Sequence, residues 1–486
     1  MPTSTIIKRF TTFQIITNLN ILLMIGCLIS CSTSVDNLKF DSTDFTIKTL
    51  IVENQTITYR AYEAIVYVAN PVDSVHQSMN FYVPAAYYEG KSIGGWTAGT
   101  APIFFPNWIG GYMPGRPGSP DLDRHNRPNA ITVALAKGYV VPAPGARGRT
   151  LKDKNGRFTG KAPACIVDLK AAVRYLRHND KLMPGDAEKI ISNGTSAGGA
   201  LSSLLGATGN NADYNPYLQA IGAADERDDI FAASCYCPIT NLDNADAAYE
   251  WLFNGINDYN GWGRKGTLTA EQIEISNQLK MLFPDYLNSL GLKTPDGTEL
   301  KLEVNGKGSF KYYVKSFVIA STQKALDGGK DLSDLDWITI NNGIVTDIDF
   351  DQFVEYATRM KAAPAFDSID FSSPETNLFG TATIDNRHFT QFAREYSTDH
   401  TLADTKIVKM MNPMEYIGTK GATTAKNWRI RHGAIDRDTS LAIPVILATK
   451  LQNSGCNVDF AIPWSQGHGG DYDLEELFAW IEQVCR

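Results

Sequence analysis

The stretch ISNGTSAGGALSS, residues 191–203, sets one serine, Ser196, in a glycine frame between an apolar run and a small-residue segment. The residues before it, KIISNG, read as a strand, and those after it, ALSSLLGAT, read as a helix. Gly194-Thr195-Ser196-Ala197-Gly198 is a Gly-x-Ser-x-Gly sequence at a strand-to-helix turn. Glycine has no Cβ, so it permits the strained dihedrals and close backbone approach that such a turn needs. At the start of a helix, unpaired N–H groups and the helix dipole favour developing negative charge. Ser196 is therefore a candidate nucleophile, provided the chain also supplies a base, an acid and an oxyanion hole.

Outward from this turn, strand-like and helix-like patterns alternate. The segments APIFFPNWIGG (101–111), GYVVPAPGARG (138–148) and KIISNGTSAGG (189–199) are apolar and end in glycine. CIVDLKAAVRYLRHN (165–179), between the last two, carries apolar residues at helical spacing. TIKTLIVENQTITYRAYEAIVYVA and MNFYVPAAYY, further upstream, read as antiparallel strands. After FAASCYCPITN (231–241) the alternation stops, and turn signals such as PDGT and NGKG read as hairpins. It resumes at WRIRHGAIDRDTSLAIPVILATKLQ. The expectation is an α/β fold, a doubly wound and mostly parallel sheet of the α/β-hydrolase type. Its core spans 46–241 and 426–486, with an inserted lid over 242–425.

In that fold the triad runs serine, acid, histidine along the chain. Of seven histidines, only His468, in WSQGHGGDYDL, falls on a C-terminal loop between a strand and a helix. His432 competes, but it sits at the end of the WRIRHG strand, where a structural role is expected. Asp436 fits the acid, just beyond that strand. Asp438, two residues on, is the alternative, and either could instead cap the following helix. The oxyanion hole needs the N–H of the residue after the serine, Ala197, and one from an early strand-to-helix loop. Gly110, in FPNWIGGYMPG, is the second donor expected.

Bulk properties narrow the partners. Of 486 residues 43% are hydrophobic and 20% charged, enough to bury a large core. A net charge of −8 offers no basic surface for phosphates, so nucleic acid is not expected as a partner. At the N-terminus, Lys8 and Arg9 precede an apolar run too short to span a bilayer, which ends at Cys31. Leu28-Ile29-Ser30-Cys31 resembles the lipobox of bacterial lipoproteins. That resemblance implies a signal peptide over 1–31, lipidation of Cys31, a polar tether over 32–45 and a place at the bacterial cell envelope. Five cysteines remain beyond the leader, too few and too scattered for a disulfide framework. Cys456 and Cys485 are the pair expected if one bridge forms. The Cys-Tyr-Cys of 235–237 reads as core, and no second Cys/His cluster is present to complete a zinc site.

The segments FFPNWIGGYMPG, GYVVPAPGARGRT and GTSAGGALSSLLGATGN resemble those of bacterial tannases, α/β-hydrolases that split galloyl esters. The resemblance covers most of the chain beyond the leader. It implies that Lys361, Glu375 and Asp438 contact the galloyl hydroxyls and that Ile239 and Pro374 sandwich the ring. A trihydroxylated ring can donate to carboxylates and accept from an ammonium, which suits that set. The expected protein is a serine esterase acting on a small phenolic ester through an acyl-enzyme, with no metal or organic cofactor. A broader feruloyl or carboxyl esterase is the nearest alternative. A surface lipoprotein that binds without turnover is the other, although a binding module has no use for a triad.

Overall fold

The computed structural model describes residues 37–52, 55–123 and 126–486; the expected signal peptide over 1–31 and Cys31 lie outside them. Leu38 and Phe40, within the stretch read as tether, are buried. Asn179 holds them, accepting the Phe40 N–H at 2.8 Å and donating to the Leu38 carbonyl at 2.8 Å. Packing thus begins by residue 38.

The chain then runs through β1 (Thr46–Val52), β2 (Gln55–Val66), β3 (Ser78–Pro84), β4 (Pro102–Asn107), α1 (Ala130–Ala136), β5 (Val141–Pro144), α2 (Ala164–His178), β6 (Asp186–Thr195), α3 (Ala197–Ala207), α4 (Asn215–Ala220) and β7 (Ala232–Tyr236). An insertion follows, with α5 (Leu242–Phe253), β8 (Asp258–Gly261), β9 (Arg264–Thr267), α6 (Ala270–Ser289), α7 (Ser309–Asp327), β10 (Ile338–Asn341), β11 (Ile344–Ile348), α8 (Phe350–Ala357), α9 (Pro374–Leu378), α10 (Gln391–Tyr396) and α11 (Thr405–Met410). β12 (Asn427–Arg431), α12 (Ala442–Asn453), β13 (Asn457–Ala461) and α13 (Leu474–Cys485) return to the sheet.

Strands β13, β12, β7, β6 and β4 form a parallel sheet in that order. β5 joins its β4 edge, where the Phe104 N–H donates to the Val140 carbonyl at 2.9 Å. Beyond β5, the strands β3, β2 and β1 continue antiparallel. β4 and β7 are buried along their whole length, as expected of parallel strands covered on both faces. This is the expected α/β-hydrolase sheet.

Strand order also locates the site. From β4 the chain moves outward to β5, then crosses back to β6 on the other side of β4. Ligands of open α/β sheets bind at the carboxyl ends of strands where the order reverses in this way. Asn107 and Gly194, at the ends of β4 and β6, are register partners at that point. The loop carrying Gly110 and the turn carrying Ser196 therefore emerge side by side.

The insertion starts its long helix α6 with a capping box: Thr269 Oγ1 accepts the Gln272 N–H, and Gln272 Oε1 accepts the Thr269 N–H. Its two hairpins turn at residues 262–263 and 342–343, not at PDGT or NGKG. Those two segments close tight turns, with Gly297 N–H bonded to Thr294 and Gly306 N–H to Glu303. Around PDGT the pairing stops at a single bridge, Lys293 with Glu299, and extends into no strand. One buried apolar cluster runs from Phe104, Ile190 and Trp428 of the sheet into Phe283, Phe310 and Val318 of the insertion. Ring contacts tie the same halves together, Phe317 with Phe460 at 4.8 Å and Trp337 with Trp464 at 6.0 Å.

Cys456 and Cys485, the pair expected if one bridge formed, are not joined, and the five cysteines among the described residues are free. Cys456 precedes β13, whereas Cys485 ends α13 beside Asp186 and Lys189 of β6. β6 and β13 are three strands apart, about 14 Å at the usual spacing, beyond the reach of a disulfide.

Candidate active site

Ser196 stands between β6 and α3 with φ 61° and ψ −122°, a conformation that non-glycine residues rarely adopt. Its neighbours enforce it. A Cβ on Gly194 would lie 2.3 Å from the Gly198 carbonyl oxygen, and one on Gly198 would lie 2.7 Å from Asn107 Oδ1. The turn closes only because both are glycine. The Ser196 N–H donates to the Tyr236 carbonyl at 3.0 Å, fixing the turn to the end of β7. Asn107 Nδ2 reaches Ser202 Oγ at 3.0 Å and the Gly198 carbonyl at 3.2 Å, fixing it to the end of β4. Ala197 opens α3, and among the described residues neither its N–H nor that of Gly110 is bonded to another group.

His468 and Asp436 meet as expected: His468 Nδ1 lies 2.9 Å from Asp436 Oδ2. The other carboxylate oxygen, Oδ1, accepts the Asp438 N–H at 2.9 Å. The His468 loop folds directly onto the serine turn, where a Cβ on Gly470 would stand 1.9 Å from Thr195 Oγ1. Asn193 Nδ2 holds Asp471 of the same loop at 3.0 Å. No hydrogen bond joins Ser196 Oγ to His468 among the described residues; His468 Nε2 instead faces Asp438 Oδ2 at 3.6 Å.

Charge states follow from these contacts. Burial opposes the Asp436 carboxylate, but His432 and the hydrogen bond from His468 outweigh it, holding Asp436 well below the usual range. Burial likewise opposes a charged His468, yet the Asp436 bond and the Asp436 and Asp438 charges raise it. Burial pushes His432 down, against the Asp436 charge that raises it.

Asp438 is the hinge between this pair and the insertion. Its Oδ1 lies 3.1 Å from Lys361 Nζ and accepts the Trp262 indole N–H at 3.0 Å. Lys361 is held by its own backbone: Tyr249 Oη accepts its N–H at 3.1 Å, and Arg359 Nε donates to its carbonyl at 2.6 Å. Arg359 in turn forms a fully buried ion pair with Glu250. Glu375, at the start of α9, is buried, and among the described residues its Oε2 has no hydrogen-bond partner. Burial raises it, against the Lys361 charge that lowers it. Arg149 ties α9 to the Gly110 loop, donating to Asn377 Oδ1 at 2.9 Å and to the Gly111 carbonyl at 2.8 Å. Ile239 donates its N–H to the Ser196 carbonyl at 3.4 Å, while Pro374 is exposed at the first turn of α9.

A crystal structure of Fusobacterium nucleatum tannase is 53% identical to this chain, with a TM-score of 0.90, covering 92% of this chain and 99% of that one. The chain belongs to the bacterial tannase family. Native tannin acyl hydrolase from Lactobacillus plantarum is 48% identical, with a TM-score of 0.90 and 92% and 99% covered. A tannin acyl hydrolase in complex with ethyl gallate is also 48% identical, with a TM-score of 0.89 and the same coverage. A family model described as BD-FAE matches residues 125–252, which contain the serine turn. No curated protein sequence matches the chain.

Within this tannase-family site, three residues escaped sequence reasoning. Trp262, 68% exposed at the tip of the β8–β9 hairpin, packs edge-on to His468 at 6.0 Å. Its Gly-Trp-Gly turn was the available signal. Asn107 lies in the quoted FFPNWIGG segment, but its reach to α3 depends on the β4–β6 register. Cys237, read as core, is buried but lies beside Asp436, bonded through Sγ to the Gly469 carbonyl at 3.2 Å.

Proposed function

We propose that this chain hydrolyses galloyl esters, such as alkyl gallates and hydrolysable tannins, through an acyl-enzyme on Ser196. One observation carries the reading. Asp438 stands 3.6 Å from His468 and 3.1 Å from Lys361, so hydroxyl-reading groups adjoin the proton-transfer pair.

Ser196 Oγ attacks the ester carbonyl as His468 Nε2 takes its proton, and Asp436 fixes the tautomer and stabilises the imidazolium. The Ala197 and Gly110 N–H groups hold the oxyanion, and His468 then protonates the departing alcohol. Water, activated by His468, releases the acid. The ring lies between Ile239 and Pro374 with its hydroxyls toward Lys361, Glu375 and Asp438. Glu375 and Asp438 accept from ring hydroxyls, and the Lys361 ammonium donates to one. No step calls on a metal or an organic cofactor.

A site built to hydrogen-bond hydroxyls rejects analogues lacking them by about 10⁴–10⁵ in kcat/KM. Methyl gallate should be cleaved fastest, methyl 3,4-dihydroxybenzoate more slowly and methyl benzoate barely. Lys361→Ala or Glu375→Ala should narrow the gap between gallate and benzoate. Equal turnover of the two by the wild type would leave a general esterase instead.

We also propose export and anchoring at the bacterial cell envelope through lipidated Cys31. Wild-type protein should take up labelled fatty acid and Cys31→Ser should not; labelling that persists in the variant would refute that anchor.

A further inference from the structure

We propose that Cys237, His432 and Asp436 form a binding site for a divalent cation of the zinc class, and that filling it switches the esterase off. The thiol sulfur, an imidazole nitrogen and a carboxylate oxygen of these buried residues all lie within 4.8 Å of one another. His432 Nδ1 and Asp436 Oδ2 are 3.7 Å apart. Tetrahedral zinc with bonds of about 2.0–2.2 Å places neighbouring nitrogen and oxygen ligands about 3.4 Å apart. The imidazole–carboxylate pair is thus close to that spacing, and the thiol sulfur lies within 4.8 Å of both.

His432 supplies the independent reason to expect a ligand. Its ring is fully buried, yet among the described residues neither nitrogen has a hydrogen-bond partner. Buried polar atoms left unpaired are uncommon and costly, and the esterase mechanism gives this imidazole no task. Its Nδ1 faces Asp436 Oδ2, the oxygen with which it would share an ion. One thiolate, one imidazole and one carboxylate make a three-ligand zinc set with a fourth position for water.

Binding balances simply. The Cys237 S–H proton leaves to solvent, a metal–sulfur bond forms, and the bond from Sγ to the Gly469 carbonyl breaks. Asp436 binds as its carboxylate and His432 through an unprotonated nitrogen, so the thiol proton is the one that ligation displaces. The switch follows from a shared atom: Oδ2 of Asp436 is both the oxygen facing His432 and the acceptor of the His468 bond. A cation on that oxygen competes with His468 for it.

This inhibition rests on the catalytic reading above, whereas the site itself is tested without it. The purified full-length protein is titrated with Zn²⁺ or Cd²⁺ while p-nitrophenyl acetate hydrolysis, bound metal and cadmium–thiolate absorption are followed. We expect one ion per chain, a single-thiolate band, and a loss of activity of about 10²–10⁴-fold that a chelator reverses, as for loss of a triad acid's function. In Cys237→Ala the band should vanish and the half-inhibitory concentration rise at least tenfold. His432→Gln should also raise it at least tenfold while keeping the thiol, which guards against a folding artefact in the first variant. Absence of the cadmium–thiolate band in wild type would overturn the site whatever the activity does. Unchanged inhibition in Cys237→Ala would place the ion instead on His468 and Asp438, which face each other at 3.6 Å. A band with full activity retained would overturn the switch alone.

Discussion

Replacing Asp438 by asparagine should move the acid limb of the pH–rate profile downward. His468 must be neutral to accept the serine proton, so kcat/KM falls as pH drops through its titration. In the folded protein that titration lies above the ordinary histidine value. Burial works to lower it, but the Asp436 bond and the Asp436 and Asp438 charges outweigh burial. Asp438 Oδ2 is 3.6 Å from His468 Nε2, and both side chains are only about a tenth exposed. At that distance, an effective dielectric between 20 and 80 gives an attraction of about 1–5 kcal/mol, or about 1–3 pH units. Asparagine removes the charge while its side-chain carbonyl can still accept from Trp262. Lys361, 3.1 Å from Asp438, is then left unmasked and pushes His468 the same way. The acid limb should therefore fall by at least about 1 unit. p-Nitrophenyl acetate is the substrate of choice, because it has no hydroxyls for Asp438 to read. Asp436→Asn on this ester should instead cost several orders of magnitude at every pH. An acid limb in Asp438→Asn that stays in place, or rises, would refute the electrostatic reasoning.

Two further perturbations test the supports of the site. A Cβ at Gly470 would sit 1.9 Å from Thr195 Oγ1, so Gly470→Ala must push the His468 loop about 1 Å off the serine turn. Steady-state assay should show about a 10²-fold loss of kcat, partly recovered when Thr195→Ala removes the opposing hydroxyl; wild-type kcat in the single variant would refute the tight seat. Arg359→Met strands the buried Glu250 carboxylate, and urea unfolding should report a loss of about 3–5 kcal/mol. The same variant frees the Lys361 carbonyl and should raise KM for methyl gallate more than for methyl benzoate, whereas equal shifts would mean that Arg359 does not position Lys361.

Much of the scaffold was readable from local chemistry. The glycines around Ser196 and the alternation of apolar strands with periodic helices follow from backbone sterics and burial, which act over a few residues. So did the pairing of Asp436 with His468, because the chain order of a hydrolase triad leaves few candidates. The antiparallel start of the sheet was equally plain in β1 to β3. What stayed hidden depends on elements far apart in sequence. Trp262 reaches Asp438 only because the β8–β9 hairpin folds onto the His468 site, and Arg359 finds Glu250 only once α5 is packed. The Cys456–Cys485 expectation failed for the same reason, since proximity in the C-terminal sequence says nothing of which strand each end adjoins. Cys237 and His432 each read as ordinary core, and only the adjacency of β7 and β12 brings them together beside Asp436.

The most direct test of the account is the covalent one. Wild-type protein treated with a fluorophosphonate, digested and analysed by mass spectrometry should carry a single adduct on Ser196, with activity lost in proportion to labelling. A brief acidic quench during methyl gallate turnover should trap a galloyl group on the same residue. Ser196→Ala should give neither adduct and no ester hydrolysis above background, with the fold intact by circular dichroism. An adduct on another residue, or turnover by Ser196→Ala at the wild-type rate, would contradict it.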